Sequence, residues 1–179
     1  MQTLAHVYLA DQEAYHRLVA EVAASPTAET GGILVGRFFA LSHGSVLVVV
    51  AASGPGEAAQ RSADYFEPDS DAQQRELEHW RTLYAAYGLD YVGQWHTHPV
   101  DTRLSPGDLA QIWAILNDSS YSLPHGILTP IAVYDGVELA VTAYFTARAT
   151  GETSQVPLSI FEGEVVQLLD VCDALEHQR

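Results

Sequence analysis

The sequence has no lysine, a single cysteine and no long hydrophobic run. Without lysine there is no phosphate-cradling Walker A loop, no Schiff-base amine and no Ser-x-x-Lys nucleophile. Eight arginines stand against 23 acidic residues, a net charge of −15. That balance argues against a duplex nucleic-acid binder, which needs basic side chains to displace counterions. The lysine deficit fits a genome rich in arginine codons; a protein that avoids lysine modification would give the same composition. Cys172, the lone cysteine, rules out an intrachain disulfide, the cysteine-rich zinc folds and a Cys-x-x-Cys redox pair. It lies in an apolar helical pattern and reads as a buried structural thiol. The strongest apolar run, Val46 to Ala52, is too short to cross a bilayer. Residues 1–10 have neither a basic stretch nor a long apolar core, so no secretory leader is expected there and the cytoplasm is the expected compartment.

What is present is a globular composition, 47% hydrophobic and 17% charged over 179 residues, enough for one domain with a sizeable core. Asp11 to Ala24 reads as a helix capped by Asp11 and stopped before Pro26. Strands are expected over Gly32 to Ala40 and Ser45 to Ala52, the second apolar enough to be buried on both faces. Ser53 to Asp69 has no clear period and reads as a long irregular connection of the kind that often carries function. Ser70 to Tyr87 reads as a helix with Leu77, Trp80, Leu83 and Tyr84 on its stripe and Gly88 as its stop. Tyr91 to His98 follows as a strand. Ser105 to Asn117 is a helix expected to turn Leu109, Ile112, Trp113 and Leu116 inward. Pro130 to Tyr134 and Val137 to Ala147 are strands joined at Asp135-Gly136, a hairpin signal. Thr150 to Val156 reads as a polar linker and Phe161 to His177 as a closing amphipathic helix. Interleaved helices and strands define an α/β layered domain, and the hairpin makes its sheet mixed.

The chemistry lies in Gly93-Gln94-Trp95-His96-Thr97-His98-Pro99 and Ser105-Pro106-Gly107-Asp108. On a strand, His96 and His98 point to one face and present two imidazoles side by side. Asp108 falls in the first turn of the next helix, where a short loop can return it over the strand end as an oxygen ligand. Three protein ligands leave a tetrahedral zinc with an open position, the arrangement of a catalytic site, and zinc lowers the pKa of water held there. A carboxylate must then move the proton. Glu29, in Glu29-Thr30-Gly31-Gly32, stands at a strand entry where the glycines let the backbone turn tightly. Ser105-Pro106-Gly107-Asp108 is equally a helix-start sequence, with Ser105 as cap and Pro106 in the first turn. Capping and a site role are compatible. Taken alone, His96 and His98 also fit a solvated strand face, and Glu29 a surface carboxylate. The remaining histidines have no ligand-like spacing, and no His-Glu-x-x-His, Gly-x-Ser-x-Gly or deaminase His-x-Glu with a Cys pair occurs.

Glu29, His96-Thr97-His98-Pro99, Ser105 and Asp108, in that order, resemble the JAMM motif of the MPN (JAB) domain zinc metalloproteases. Glu29 to Gly36 resembles the family's first strand entry, and Trp113 resembles its small prokaryotic branch. Asp108 follows His98 one residue sooner than is common in the family, the shortening falling in Pro99 to Leu104. The resemblance implies a single mixed-sheet JAB/MPN-like (cytidine-deaminase-like) domain over residues 1–150, with 151–179 an added linker and helix packed on it. It implies zinc on His96, His98 and Asp108, Glu29 as general base and then proton donor, and Ser105 at the oxyanion. The implied reaction is hydrolysis of an isopeptide or peptide bond after the tail of a ubiquitin-like modifier or sulfur-carrier protein. No nucleic acid or membrane is expected to take part, and the terminal helix packs on its own domain or on a second copy in a homodimer. A catalytically silent MPN-like binding scaffold and a zinc amidase acting on a small amide are the alternatives.

Overall fold

The computed structural model describes residues 4–178. Eight strands form one mixed sheet in the order β10-β1-β3-β2-β6-β7-β8-β9. Its centre is built from β2 (Gly31–Leu41), β3 (Gly44–Ala52), β6 (Asp90–Thr97) and β7 (Gly126–Tyr134). β2 runs antiparallel to both β3 and β6, while β6 and β7 are parallel. β8 (Leu139–Ala147) returns antiparallel to β7 through a turn in which Asp135 Oδ1 accepts the amides of Val137 and Glu138. The expected hairpin is therefore present, though β7 begins before Pro130.

The apolar run of β3 feeds two cores. Leu47 and Val49 pack with Leu18 and Val22 of α1 (His16–Ala24) on one face. Val48 and Val50 pack on the other with Leu77 of α2 (Ser70–Leu83), Ile112 of α3 (Pro106–Asn117) and Leu169 of α4 (Val165–Glu176). Alternate side chains of a strand leave opposite faces, so one continuous apolar strand serves both layers. Cys172 is buried in the second core, as expected.

Several local readings are corrected. Leu4–Ala10 forms β1, whose period is broken by a bulge between Leu4 and His6. Asp11 is not a cap: Asp11–Tyr15 is a π-helical turn preceding α1, and the Asp11 carboxylate accepts from Gln12. The 53–69 connection contains a small hairpin of β4 (Gln60–Ser62) and β5 (Tyr65–Glu67). The expected linker contains β9 (Thr153–Gln155), which pairs with β8; β10 (Leu158–Phe161) follows it and pairs with β1, so the final helix begins at Val165 and not at Phe161. On α3, Leu109 and Trp113 are exposed, and the inward stripe is Ile112, Ile115 and Leu116. Leu83 of α2 and Leu175 of α4 are exposed as well. No described helix is long and apolar enough to cross a membrane.

Candidate metal centre

The site begins with the pairing of β2 and β6. Gly31 lies opposite His96 and Gly32 opposite Trp95. One residue further out, the Thr97 amide donates to Thr30 O at 2.8 Å and the Thr30 amide to Thr97 Oγ1 at 2.9 Å. Thr97 is buried and points away from the face carrying His96 and His98. It thus ties the entry of β2 to the end of β6 between the two imidazoles. Glu29 immediately precedes Thr30, just before β2 begins. The Glu29 amide donates to Ser62 O of the small hairpin at 2.8 Å, which holds its backbone from the other side.

Gly31 and Gly32 are corrected in role. Neither has positive φ, so they do not make a tight turn. They make room. A Cβ at Gly31 would lie 2.3 Å from Trp95 O, 2.7 Å from the Phe66 ring and 2.9 Å from His96 Cβ. One at Gly32 would lie 2.1 Å from Ser53 O, which accepts the Trp95 indole N–H at 3.0 Å.

His96, His98 and Asp108 converge. His96 Nε2 and His98 Nε2 are 3.0 Å apart, His96 Nε2 is 3.0 Å from Asp108 Oδ1, and His98 Nε2 is 3.2 Å from Asp108 Oδ2. Two protonated nitrogens would repel at that distance. Nitrogen and oxygen ligands on a tetrahedral zinc are separated by about 3.4 Å, given ligand bonds of about 2.0–2.2 Å. Donor set and spacing both fit such an ion, and the group could hold a metal. The shortened Pro99–Leu104 loop therefore does not prevent convergence.

Asp108 is delivered by the start of α3. Ser105 is the N-cap, its Oγ accepting the Asp108 amide at 3.1 Å, and Asp108 Oδ2 accepts the Ser105 amide at 2.6 Å. This reciprocal capping box satisfies two otherwise orphan donors and fixes the carboxylate over β6. Pro106 in the first turn pre-sets the backbone. Burial pushes the Asp108 carboxyl up, but hydrogen bonds with His96 and with the Ser105 amide outweigh it and lower its pKa to about 2. Asp108 is thus ionised at neutral pH, as a ligand must be.

Glu29, Ser105 and the three converging residues line one cleft of about 900 Å³. Its walls come from the β4–β5 hairpin, α2, β6 and the start of α3. Burial raises the Glu29 carboxyl above its ordinary value of 4.5; His96 and His98 oppose the rise, while Asp108 and Asp64 add to it. All five residues singled out in the sequence therefore share this cleft. The parts not foreseen are Thr30 with Thr97, Ser53 beneath Trp95, and the β4–β5 hairpin. The threonines were in view inside the motif, but only strand pairing reveals their bond.

A mixed α/β domain with two imidazoles and a capped aspartate meeting at the end of a central strand is a metal-site architecture. A family model described as prokaryotic homologs of the JAB domain matches residues 11–144, more than half of the chain. The chain belongs to this family, as a JAB domain of the prokaryotic branch. Among solved structures, that of protein DSY2949 from Desulfitobacterium hafniense is similar, with a TM-score of 0.62 and 16% identity over 88% of this chain and 94% of that one. At that identity the likeness concerns the fold. No curated protein matches the chain.

Proposed function

We propose that this JAB domain is a zinc-dependent hydrolase that cleaves the peptide or isopeptide bond following the extended tail of a ubiquitin-like protein. The observation that carries the reading is the closure of His96, His98 and Asp108 to 3.0–3.2 Å in the cleft that also contains Glu29 and Ser105. A zinc ion bound by the three residues would supply Lewis acidity and make water a stronger acid. Glu29 takes the proton from the attacking water and returns it to the leaving amine. Its raised pKa suits both halves of that transfer, since a carboxyl tuned upward accepts and releases a proton nearer neutrality. The Ser105 oxygen already accepts the Asp108 amide, which leaves its hydroxyl hydrogen free to donate to the oxyanion. Water attacks directly, so no acyl-enzyme forms.

A silent scaffold would have no use for an intact ligand triangle with a carboxylate beside it, and the presence of all five residues favours the hydrolase. Whether the reaction removes a modifier from its target or matures a precursor or sulfur carrier depends on the partner. The test is a cleavage assay on fusions of a ubiquitin-like protein in which wild-type, zinc-loaded protein is compared with Glu29→Gln. Cleavage at the tail junction by the wild type alone supports the reading. No cleavage by zinc-loaded wild-type protein contradicts it.

A further inference from the structure

Gln73, in the first half of α2, is 9% exposed, and its Nε2 has no hydrogen-bond partner among the described residues. It sits one turn before buried Leu77 on the inward face of α2 and lines the same cleft as the metal-type triad. A shielded amide donor with no partner costs stability in the free protein, so its position calls for a use. Two further glutamines line that cleft, Gln94 on β6 and Gln111 on α3. Their placement is regular. Gln94 precedes His96 by two residues on the same strand face, about 6.5–7 Å along β6. Gln111 follows Asp108 by three residues on the same helix face, with Cβ atoms about 5–6 Å apart. Gln94 and Gln111 thus stand one structural repeat away from site residues, and Gln73 faces the same cleft from α2.

We propose that these glutamines bind the main chain of the polypeptide entering the cleft, with Gln73 as the principal positioning residue; this rests on the hydrolase reading above. A carboxamide offers one acceptor and an N–H donor in a plane, matching the acceptor and donor of a peptide group. Such a pair reads backbone and is indifferent to side-chain charge. The Gln73 donor, unmet in the free protein, is satisfied when a peptide carbonyl reaches it after the carboxamide rotates toward the cleft. Phe66, lining the same cleft, supplies apolar wall. Gln73 therefore aligns the chain and does not touch the reacting atoms.

The experiment is a titration of zinc-loaded, full-length protein with acetyl-tetraglycine amide, a ligand that is nearly all backbone. It is followed by the side-chain NH₂ signals in nitrogen-15 spectra and by calorimetry. The Gln73 signals should shift saturably. Gln73→Met should bind the peptide about tenfold more weakly, the loss of roughly one hydrogen bond. Its zinc content should be unchanged and its thermal midpoint equal or higher, because the orphan donor is gone. A structural glutamine would instead lower the midpoint. If Gln73→Met does not fold, Gln73→Leu, which loses the donor without adding charge, should show the same weakening. Absence of saturable binding, unmoved Gln73 signals, or undiminished binding by the variant would overturn the proposal. Hydrolysis plays no part in this measurement. An inert protein that still grips the peptide through Gln73 would remove the hydrolase reading alone, and an active enzyme indifferent to Gln73→Met would remove this one alone.

Discussion

Ser105 and Asp108 hold each other: the Ser105 amide donates to Asp108 Oδ2 at 2.6 Å, and the Asp108 amide donates to Ser105 Oγ at 3.1 Å. The pair starts α3 and builds the metal-type site with the same two bonds. Stability and site geometry are therefore coupled here. Ser105→Ala should lower the unfolding free energy of the chelated protein by about 1 kcal/mol, the usual loss of an N-cap. In the zinc-loaded protein it should keep the metal but lower kcat about 100-fold through loss of the oxyanion donor. Denaturant unfolding and steady-state kinetics measure the two effects separately. A variant with normal kcat and lowered stability would reduce Ser105 to a cap.

Glu29 is tied through its backbone to Ser62 and is not part of the ligand triangle. Glu29→Gln should therefore retain zinc and lose about 10²–10⁴-fold in turnover, the range of a general acid–base contribution. Metal analysis beside the rate constant checks it. Near-normal turnover would take Glu29 out of the mechanism.

The pH dependence follows from the same carboxyl. Its pKa is raised above 4.5, chiefly by burial. The base is the ionised form, so activity should fall as pH drops through the pKa of this carboxyl; in the chelated protein that pKa, read from side-chain carboxyl carbon-13 signals, should lie above the ordinary glutamate value, and bound zinc should lower it. A value at or below 4.5 in the chelated protein would mean that burial does not control this group.

Gly31 occupies space that His96 and Trp95 need. In Gly31→Ala the new Cβ meets backbone at 2.3 Å, so β2 and β6 must separate at the site. The expected cost is about 1–3 kcal/mol, as for other overpacked positions, with weakened zinc affinity because His96 moves with β6. Thermal unfolding with and without zinc reads both. Unchanged zinc affinity would show that the strand end yields without disturbing the ligands.

The motif was legible because period-two alternation and a capping box are local rules. His96 and His98 share a strand face wherever that strand lies, and Ser105 caps Asp108 whatever lies beneath. The long-range parts were not legible. β1 and β10 are strands whose apolar positions make sense only against each other and β3, and Phe161, read as the start of the final helix, is instead the last residue of β10. Gly31-Gly32 suggested a turn because glycine's backbone freedom is its best-known use. Their actual role, clearance for Trp95 and Ser53, depends on partners 64 and 21 positions away in sequence. Trp113 looked inward by apolarity, yet the stripe from Asp108 through Ile112 to Ile115 is the one that faces the sheet.

The central claim is that His96, His98 and Asp108 together bind one zinc ion that the hydrolysis requires. It is tested most directly by measuring zinc stoichiometry and cleavage on the same samples: wild type, His98→Ala, and wild type chelated and then reloaded. The account predicts one zinc per chain in the wild type, loss of zinc and cleavage together in His98→Ala, and full recovery of both on reloading. Cleavage that persists after complete removal of the metal, or stoichiometric high-affinity zinc in His98→Ala, would contradict it.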